Sequence, residues 1–403
     1  MKNIAIVNPG VFSLALVLAL CGGLRAAEAP NGDLVAMIVN LVEDKDRDMR
    51  ALGLQQIRDE AKGPEATKQF AALLPKLPPE SQAGLLDALG GRGDRAARPA
   101  ALKMLKSPDA QVRAAAMRAM GPLGEAADVP LFTPWLTAAT SEKAAARESL
   151  ARLSGPDVNA AIVSELKRAN PQVQAELLGV LAARKARETL PVVLQSAGQT
   201  DAGVRLAALT ALRSLADQDQ APVLVKLLKA AKDDQEQWQA EQALAAVCGH
   251  GGESTLDAIL AGMADAGPSA HAALLRVLAH WHGDKALAAI VAATKDQQAE
   301  VSKEALRLLA AWPDASAAPP LRAIAEQAKS LRENVVAVQG LIRIASPLND
   351  KPADVPLLGE ALKLARRPEE KRMALGILQN LTKAKAPQVR QKAQKILESS
   401  GRP

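Results

Sequence analysis

Good helix-forming residues at three- and four-residue spacing, a repeating phrase, and 2% aromatic residues without a Tyr predict an all-α chain. The clearest phrase is SPDAQVRAAAMRAMGPLG, Ser107 to Gly124, where a polar turn leads through Val112-Arg113 into an Ala-rich run. Val112, Ala116, Met117, Met120 and Leu123 then share one helix face. Met49-Arg50, Val204-Arg205 and Val389-Arg390 reopen the phrase, and Val173-Gln174 and Val301-Ser302 repeat it with the Arg replaced. Val112 and Val204 stand 92 positions apart, three steps of about 31, and Val204 and Val301 stand 97 apart, three of about 32. One helix pair of that size cannot bury its apolar face alone, so the units must stack into an α-solenoid.

Residues 1–26 read as a secretory signal. Lys2 supplies a weakly basic start, Val11 to Leu20 is a ten-residue apolar run, and Ala26, Ala27 and Ala29 are small enough to flank a cleavage site. The run is too short to span a bilayer. Pro30 disfavours cutting after Ala29, so the Ala26–Ala27 bond is the expected site. Acylation at Cys21 is the alternative, disfavoured because Leu20 stands where a lipoprotein signal carries a small residue. The expected destination is therefore the periplasm or the exterior, with no membrane span after cleavage. Cys248 is then the single remaining cysteine, and stability must come from packing.

From residue 33 to 398 the chain reads as about eleven antiparallel pairs plus a C-terminal capping helix. In each pair an A helix precedes the polar turn and a B helix follows it. A helices are expected near 33–43, 66–77, 99–107, 129–138, 158–168, 188–198, 221–232, 255–265, 284–295, 318–330 and 354–367. B helices are expected near 48–62, 81–93, 111–124, 142–154, 171–184, 203–217, 235–249, 269–283, 299–312, 333–346 and 370–381. Pro130, Pro191, Pro222, Pro319 and Pro356 fall in first turns of A helices, where a missing N–H costs nothing. Asp, Ser and Asn in the turns supply caps for the B helices. Lys383 to Pro387 breaks the pattern, and a last helix with Arg390, Lys392 and Lys395 outward suits a polar cap.

Formal net charge is +6, and loss of Lys2 and Arg25 with the signal leaves 48 basic against 44 acidic residues, or +4. That balance does not call for nucleic acid, and four Trp and three Phe offer few stacking platforms. Basic residues do cluster between Arg92 and Arg118 and again from Lys363 to Arg402, as solvated helix faces or as a surface for an acidic partner.

The segments Pro108-Asp109-Ala110-Gln111-Val112-Arg113 and Ala202 to Leu209 resemble the HEAT-repeat family, specifically the short bacterial type shared with phycobilisome-lyase HEAT-like proteins. The resemblance covers roughly residues 33–398 and implies a fold more than a function. EKAAARESLARLSGPDVNAAIVSEL and RRPEEKRMALGILQNL also resemble HEAT arrays of large secreted bacterial proteins, in which a β-rich domain related to 3-keto-disaccharide hydrolases follows. In this chain the array alone is expected, as a docking element. The resemblance further implies that Arg50, Arg113 and Arg205 ladder with Asp from neighbouring turns. The iron site of HEAT-repeat deoxyhypusine hydroxylase needs His-Glu dipeptides, and none of His250, His271, His280 or His282 precedes a Glu.

No Gly-x-Ser-x-Gly, P-loop or His-Glu-x-x-His is present, so no enzyme and no cofactor are expected. One constellation departs from background. Cys248 and His280, and likewise His250 and His282, stand 32 positions apart, one repeat length, at the ends of consecutive B helices. Those four are the candidate metal ligands, for Zn²⁺ or Cu. The alternative is helix termination, with His favoured by the dipole and the following Gly turning left-handed. The expected function is an exported scaffold binding another protein through the groove lined by the B helices. The alternatives are a metal-binding or enzyme-accessory protein using the 248–282 edge, and an electrostatic binder of anionic envelope polymers.

Overall fold

The computed structural model describes residues 31–138, 141–249, 252–346 and 354–400. The expected signal and Cys21 lie outside the described residues, as does His250. Among the described residues there are twenty-three α-helices, from Asn31–Glu43 to Pro387–Ser399, and no strand. Helices that precede a polar turn alternate with helices that follow it, and each B helix packs on its own A helix. This is the all-α solenoid that the periodicity predicts. The chain divides into two compact units, one ending at Gly155 and one beginning at Pro156.

In the first unit the B helices Arg47–Asp59, Pro79–Arg92, Ala110–Leu123 and Ser141–Arg152 pack side by side. Val112, Ala116, Met117, Met120 and Leu123 are all fully buried, so the helical face read from sequence is the core face. Small residues set the spacing between helices. A Cβ on Gly90 would stand 2.8 Å from Ala119 Cα, which lets two B helices approach closer than larger residues permit.

In the second unit the B helices Pro171–Ala183, Ala202–Leu215, Asp234–Cys248, Pro268–Leu278, Ala299–Ala310, Leu331–Ala345 and Pro368–Leu381 follow the same arrangement. Val204 and Val301 are fully buried. The same position is exposed at Met49 and half-exposed at Val389, in the first and last described B-type helices, where a described neighbour flanks one side only. The final helix packs on 355–364 and 368–381 through buried Ala393 and leaves Arg390, Lys392 and Lys395 exposed.

Capping follows the expected chemistry. The side chains of Asp46, Asp109, Asn170, Asp201, Asp233 and Ser330 accept hydrogen bonds from N–H groups that open B helices. All five expected prolines lie at the start of A helices.

Two A helices are shorter than expected. The span 66–77 is a helix Pro64–Ala71 followed by a 3₁₀ turn at Leu74–Lys76, and 129–138 is a helix Val129–Phe132 followed by a 3₁₀ turn at Thr133–Thr137. Pro75 and Pro134 each sit where the α-helix stops, since Pro lacks the N–H and crowds the preceding turn. Several A helices also open with a 3₁₀ lead-in that the sequence reading missed. Asp94, Asp217 and Asp314 each cap such a turn five residues before a proline, accepting from the N–H of Ala96, Asp219 and Ser316.

Candidate interaction groove

The fourth residue of a B helix is where the repeated Arg falls, and its role is structural. Arg113 Nη1 donates to the carbonyls of Ser107 and Pro108 at 2.8 Å each, closing the turn that joins its own A and B helices. Arg50, Arg205 and Arg390 make the same pair of bonds, to Asp44 and Lys45, to Gln199 and Thr200, and to Ala384 and Lys385. Gln174 and Asn334 stand at the same position and hold the turn or a neighbouring carbonyl through their amides. The expected carboxylate partner is corrected. For Arg113 and Arg205 it is a Glu in the first turn of the next B helix rather than an Asp from a neighbouring turn, and the bonds shown for Arg50 go to carbonyls alone. Arg113 Nη2 reaches Glu142 Oε1 at 2.7 Å and Arg205 Nε reaches Glu236 Oε1 at 2.9 Å, both carboxylates being buried. Each capping Asp turns Oδ1 to the N–H groups that open its own helix, and the counter-charge comes from the next unit.

The basic cluster from Arg92 to Arg118 is largely consumed in the same way. Arg92 holds the carbonyls of Ile57, Glu60 and Ala61, Arg98 is bidentate to buried Asp128, Arg113 is paired as above, and Arg118 is bidentate to Asp87.

The four candidate metal ligands fall out differently. Cys248 is a buried free thiol, and burial pushes its pKa up to about 12, so at neutral pH it is protonated rather than the thiolate that binds metal. The expected B helix 269–283 ends at Leu278, so His280 and His282 sit beyond its end. His280 Nδ1 lies 3.0 Å from the Arg276 carbonyl and 3.2 Å from that of Val277. Both are acceptors, so Nδ1 carries the proton and caps the helix. His282 takes the left-handed conformation (φ 44°) that the expectation gave to Gly283, whose φ is −130°. It sets its ring edge against Trp312 at 5.7 Å. Among the described residues no group of three or more His, Cys, Asp and Glu side chains converges as a metal site would require.

What the second unit does present is a groove of about 940 Å³ lined by the B helices Pro268–Leu278, Ala299–Ala310 and Leu331–Ala345 together with the end of the A helix Ala318–Gln327 and the turns 294–296 and 328–330. Ala272, Leu306, Ile324 and Val336 give it an apolar floor. A line of charge crosses from one helix to the next: Glu241 accepts from Arg276 Nε and Nη2 at 2.9 and 2.7 Å, and Glu304 accepts from Arg307 at 2.9 and 2.6 Å with Arg276 3.8 Å away. The Arg307 guanidinium holds the Glu304 carboxyl below the usual carboxylate range, and Glu241 raises Arg276. This chain of ion pairs was not read from the sequence. The signal was there, in opposite charges about one repeat apart, as Asp87 and Arg118 are 31 positions apart. Upstream, a shallower hollow of about 600 Å³ is lined by Ala182, Ala183, Thr210, Arg213, Gln242 and Ala246 of the three preceding B helices. Trp238, 52% exposed, stands one turn before Gln242.

An array of stacked helix pairs, braced by one side chain per turn, defines a class of α-solenoid protein. Residues 67–151 and 159–245 match the family model for HEAT repeats. That match, over 172 of the 403 residues, is to HEAT repeats at large and does not single out the phycobilisome-lyase type. No curated protein matches. Among solved structures, the chain is similar to an engineered protein, at 20% identity over 90% of this chain and 98% of that one with a TM-score of 0.31. It is also similar to Kap121p, at 14% identity over 91% of this chain and 45% of that one with a TM-score of 0.48. A third likeness is to Kap95p, at 13% identity over 90% of this chain and 59% of that one with a TM-score of 0.43. The chain thus spans less than half of Kap121p. Among the described residues no helix is long and apolar enough to cross a membrane.

Proposed function

We propose that this protein is an exported, non-enzymatic HEAT-repeat scaffold that binds another protein through the groove lined by its B helices. The observation that carries the reading is the 940 Å³ groove with an apolar floor and charged walls, built on rigid helices. A stacked array keeps its core fixed while its surface positions are free to specialise, which suits recognition of an extended partner. The export part rests on the apolar run Val11 to Leu20 and the alanines beyond it. Affinity capture from the native cell envelope tests the function: a stoichiometric protein partner is expected, retained at moderate salt. Recovery of the protein alone would count against a scaffold. N-terminal sequencing of the native protein should begin at Ala27, and a chain beginning at Met1 would refute export.

A further inference from the structure

The polar groups around the groove are not equally committed. Six basic and four acidic side chains line it, for a local balance of +2. Three of the four carboxylates are occupied. Glu304 is held by Arg307, Asp296 accepts from the Gln298 N–H at 2.8 Å, and Glu333 accepts from the N–H groups of Lys329 and Ser330 at 3.0 and 3.3 Å. That leaves Glu300. On the other side, Lys295, Lys303, Lys329 and Arg332 are exposed and make no side-chain hydrogen bond or ion pair among the described residues. Four cations without a side-chain partner thus outnumber the three carboxylates not held by an Arg, Asp296, Glu300 and Glu333, around a floor of Leu306, Ile324 and Val336.

The groove also has a direction. Trp238, Ala272 and Lys303 are each the fifth residue of their B helices, Asp234–Cys248, Pro268–Leu278 and Ala299–Ala310. They form one row across three neighbouring helices, running from an exposed indole to the cationic rim. A Trp that leaves half its surface in water forgoes a large burial gain, and Trp is the residue type most enriched among side chains that dominate binding energy. At about 10 Å per helix, the distance from the Trp238 helix to the Arg332 helix is about 30 Å, the reach of roughly nine extended residues.

We propose that this row is the binding site for an acidic, extended protein segment that carries a bulky apolar residue for Trp238 and carboxylates for Lys303, Lys329 and Arg332. The inference rests on the scaffold reading above and narrows it to one partner chemistry. A purely anionic polymer would satisfy the cations and leave the indole and the apolar floor unused, so a polypeptide is the better fit.

The test is selection of a random twelve-residue peptide library on the full chain at low salt, followed by fluorescence anisotropy of the enriched peptides. Enriched peptides should carry net negative charge and at least one aromatic or branched aliphatic residue. Their affinity should fall at least tenfold with Trp238→Ala and again with Lys303→Glu/Arg332→Glu, and should weaken between 0.05 and about 0.5 M salt. All three side chains are exposed, so unchanged helical circular dichroism and melting will show that the variants fold. Neutral or basic peptides, or acidic ones that ignore both variants, would overturn the inference and leave the scaffold reading standing. Dextran sulfate binding as tightly as the peptides, and indifferent to Trp238→Ala, would overturn it in favour of a polyanion surface. A library that enriches nothing above bare support counts against both readings.

Discussion

Arg50 and Arg205 occupy the same position in their helices and close the same turn, yet their replacement by Leu should cost very different amounts. Arg50 is half-exposed and donates to two carbonyls, at 3.1 and 2.7 Å, that can turn to water when it leaves. Arg50→Leu should therefore cost about 1 kcal/mol. Arg205 is 7% exposed and faces Glu236, which is 2% exposed. Removing it strands a buried carboxylate whose one remaining neutral partner is the Lys232 N–H at 3.1 Å, and loss of one member of such a pair costs about 3–5 kcal/mol. Arg205→Leu/Glu236→Leu removes both charges, and its cost should fall short of the sum of the single changes by about 0.5–3 kcal/mol. The pH dependence has a definite sign. The Arg205 hydrogen bond holds the Glu236 carboxyl below its ordinary value. The pair's contribution is thus complete at neutral pH and is lost as pH falls below the usual carboxylate range through the folded value. The assay is urea unfolding followed by circular dichroism at pH 7 and at about pH 3, with hydrogen exchange localising the loss to the helix Ala202–Leu215. Equal midpoint shifts for Arg50→Leu and Arg205→Leu, or a double variant that equals the sum of its parts, would refute the reasoning.

Gly90→Val should destabilise the first unit by about 1–3 kcal/mol, because its Cβ would meet Ala119 Cα at 2.8 Å; an unchanged melting temperature would show that the helices can part freely. Val204→Asp should cost several kcal/mol, since that side chain is fully buried, whereas exposed Arg213→Ala should move the urea midpoint little. Cys248, buried with a pKa of about 12, should resist a thiol reagent at pH 8 in the folded protein lacking residues 1–26 and react at once in urea; rapid labelling without urea would contradict the burial.

The fold was legible because its determinants are local and periodic. Val112 and Val204 mark the same core position, and Asp109 and Asp201 cap the same helix start, so one unit teaches the next. The 3₁₀ segments were less legible, since Pro75 and Pro134 are ordinary turn residues until their place within an A helix is known. Pairing across units was the hardest part. Which carboxylate meets Arg205 depends on how far one helix is shifted against the next, and Asp201 and Asp233 also lie near enough for their charge to act on it. The 32-position spacing of Cys248 and His280 is real, but Cys248 is buried as the last residue of its helix whereas His280 lies beyond the end of the next B helix. His280 folds back onto the carbonyls of its own helix, a short-range bond that competes with any outward role. The groove could not be read ahead because its floor and its free cations are defined by what the neighbouring carboxylates have already taken.

The pairing of each unit with its successor also makes the order of the units part of the design. Arg205 meets Glu236 in the first turn of the following B helix, and Gln237 exchanges hydrogen bonds with Ser269 in the one after. Excise the single unit that contains Asp234–Cys248, and the helix that inherits its place opens with Pro268-Ser269-Ala270, which has no carboxylate to offer. Arg205 would keep its turn but lose its counter-charge. The units share one shape without being interchangeable, so a shortened or shuffled array would assemble with mismatched seams, and length variation in this chain should be tolerated at its ends before its middle.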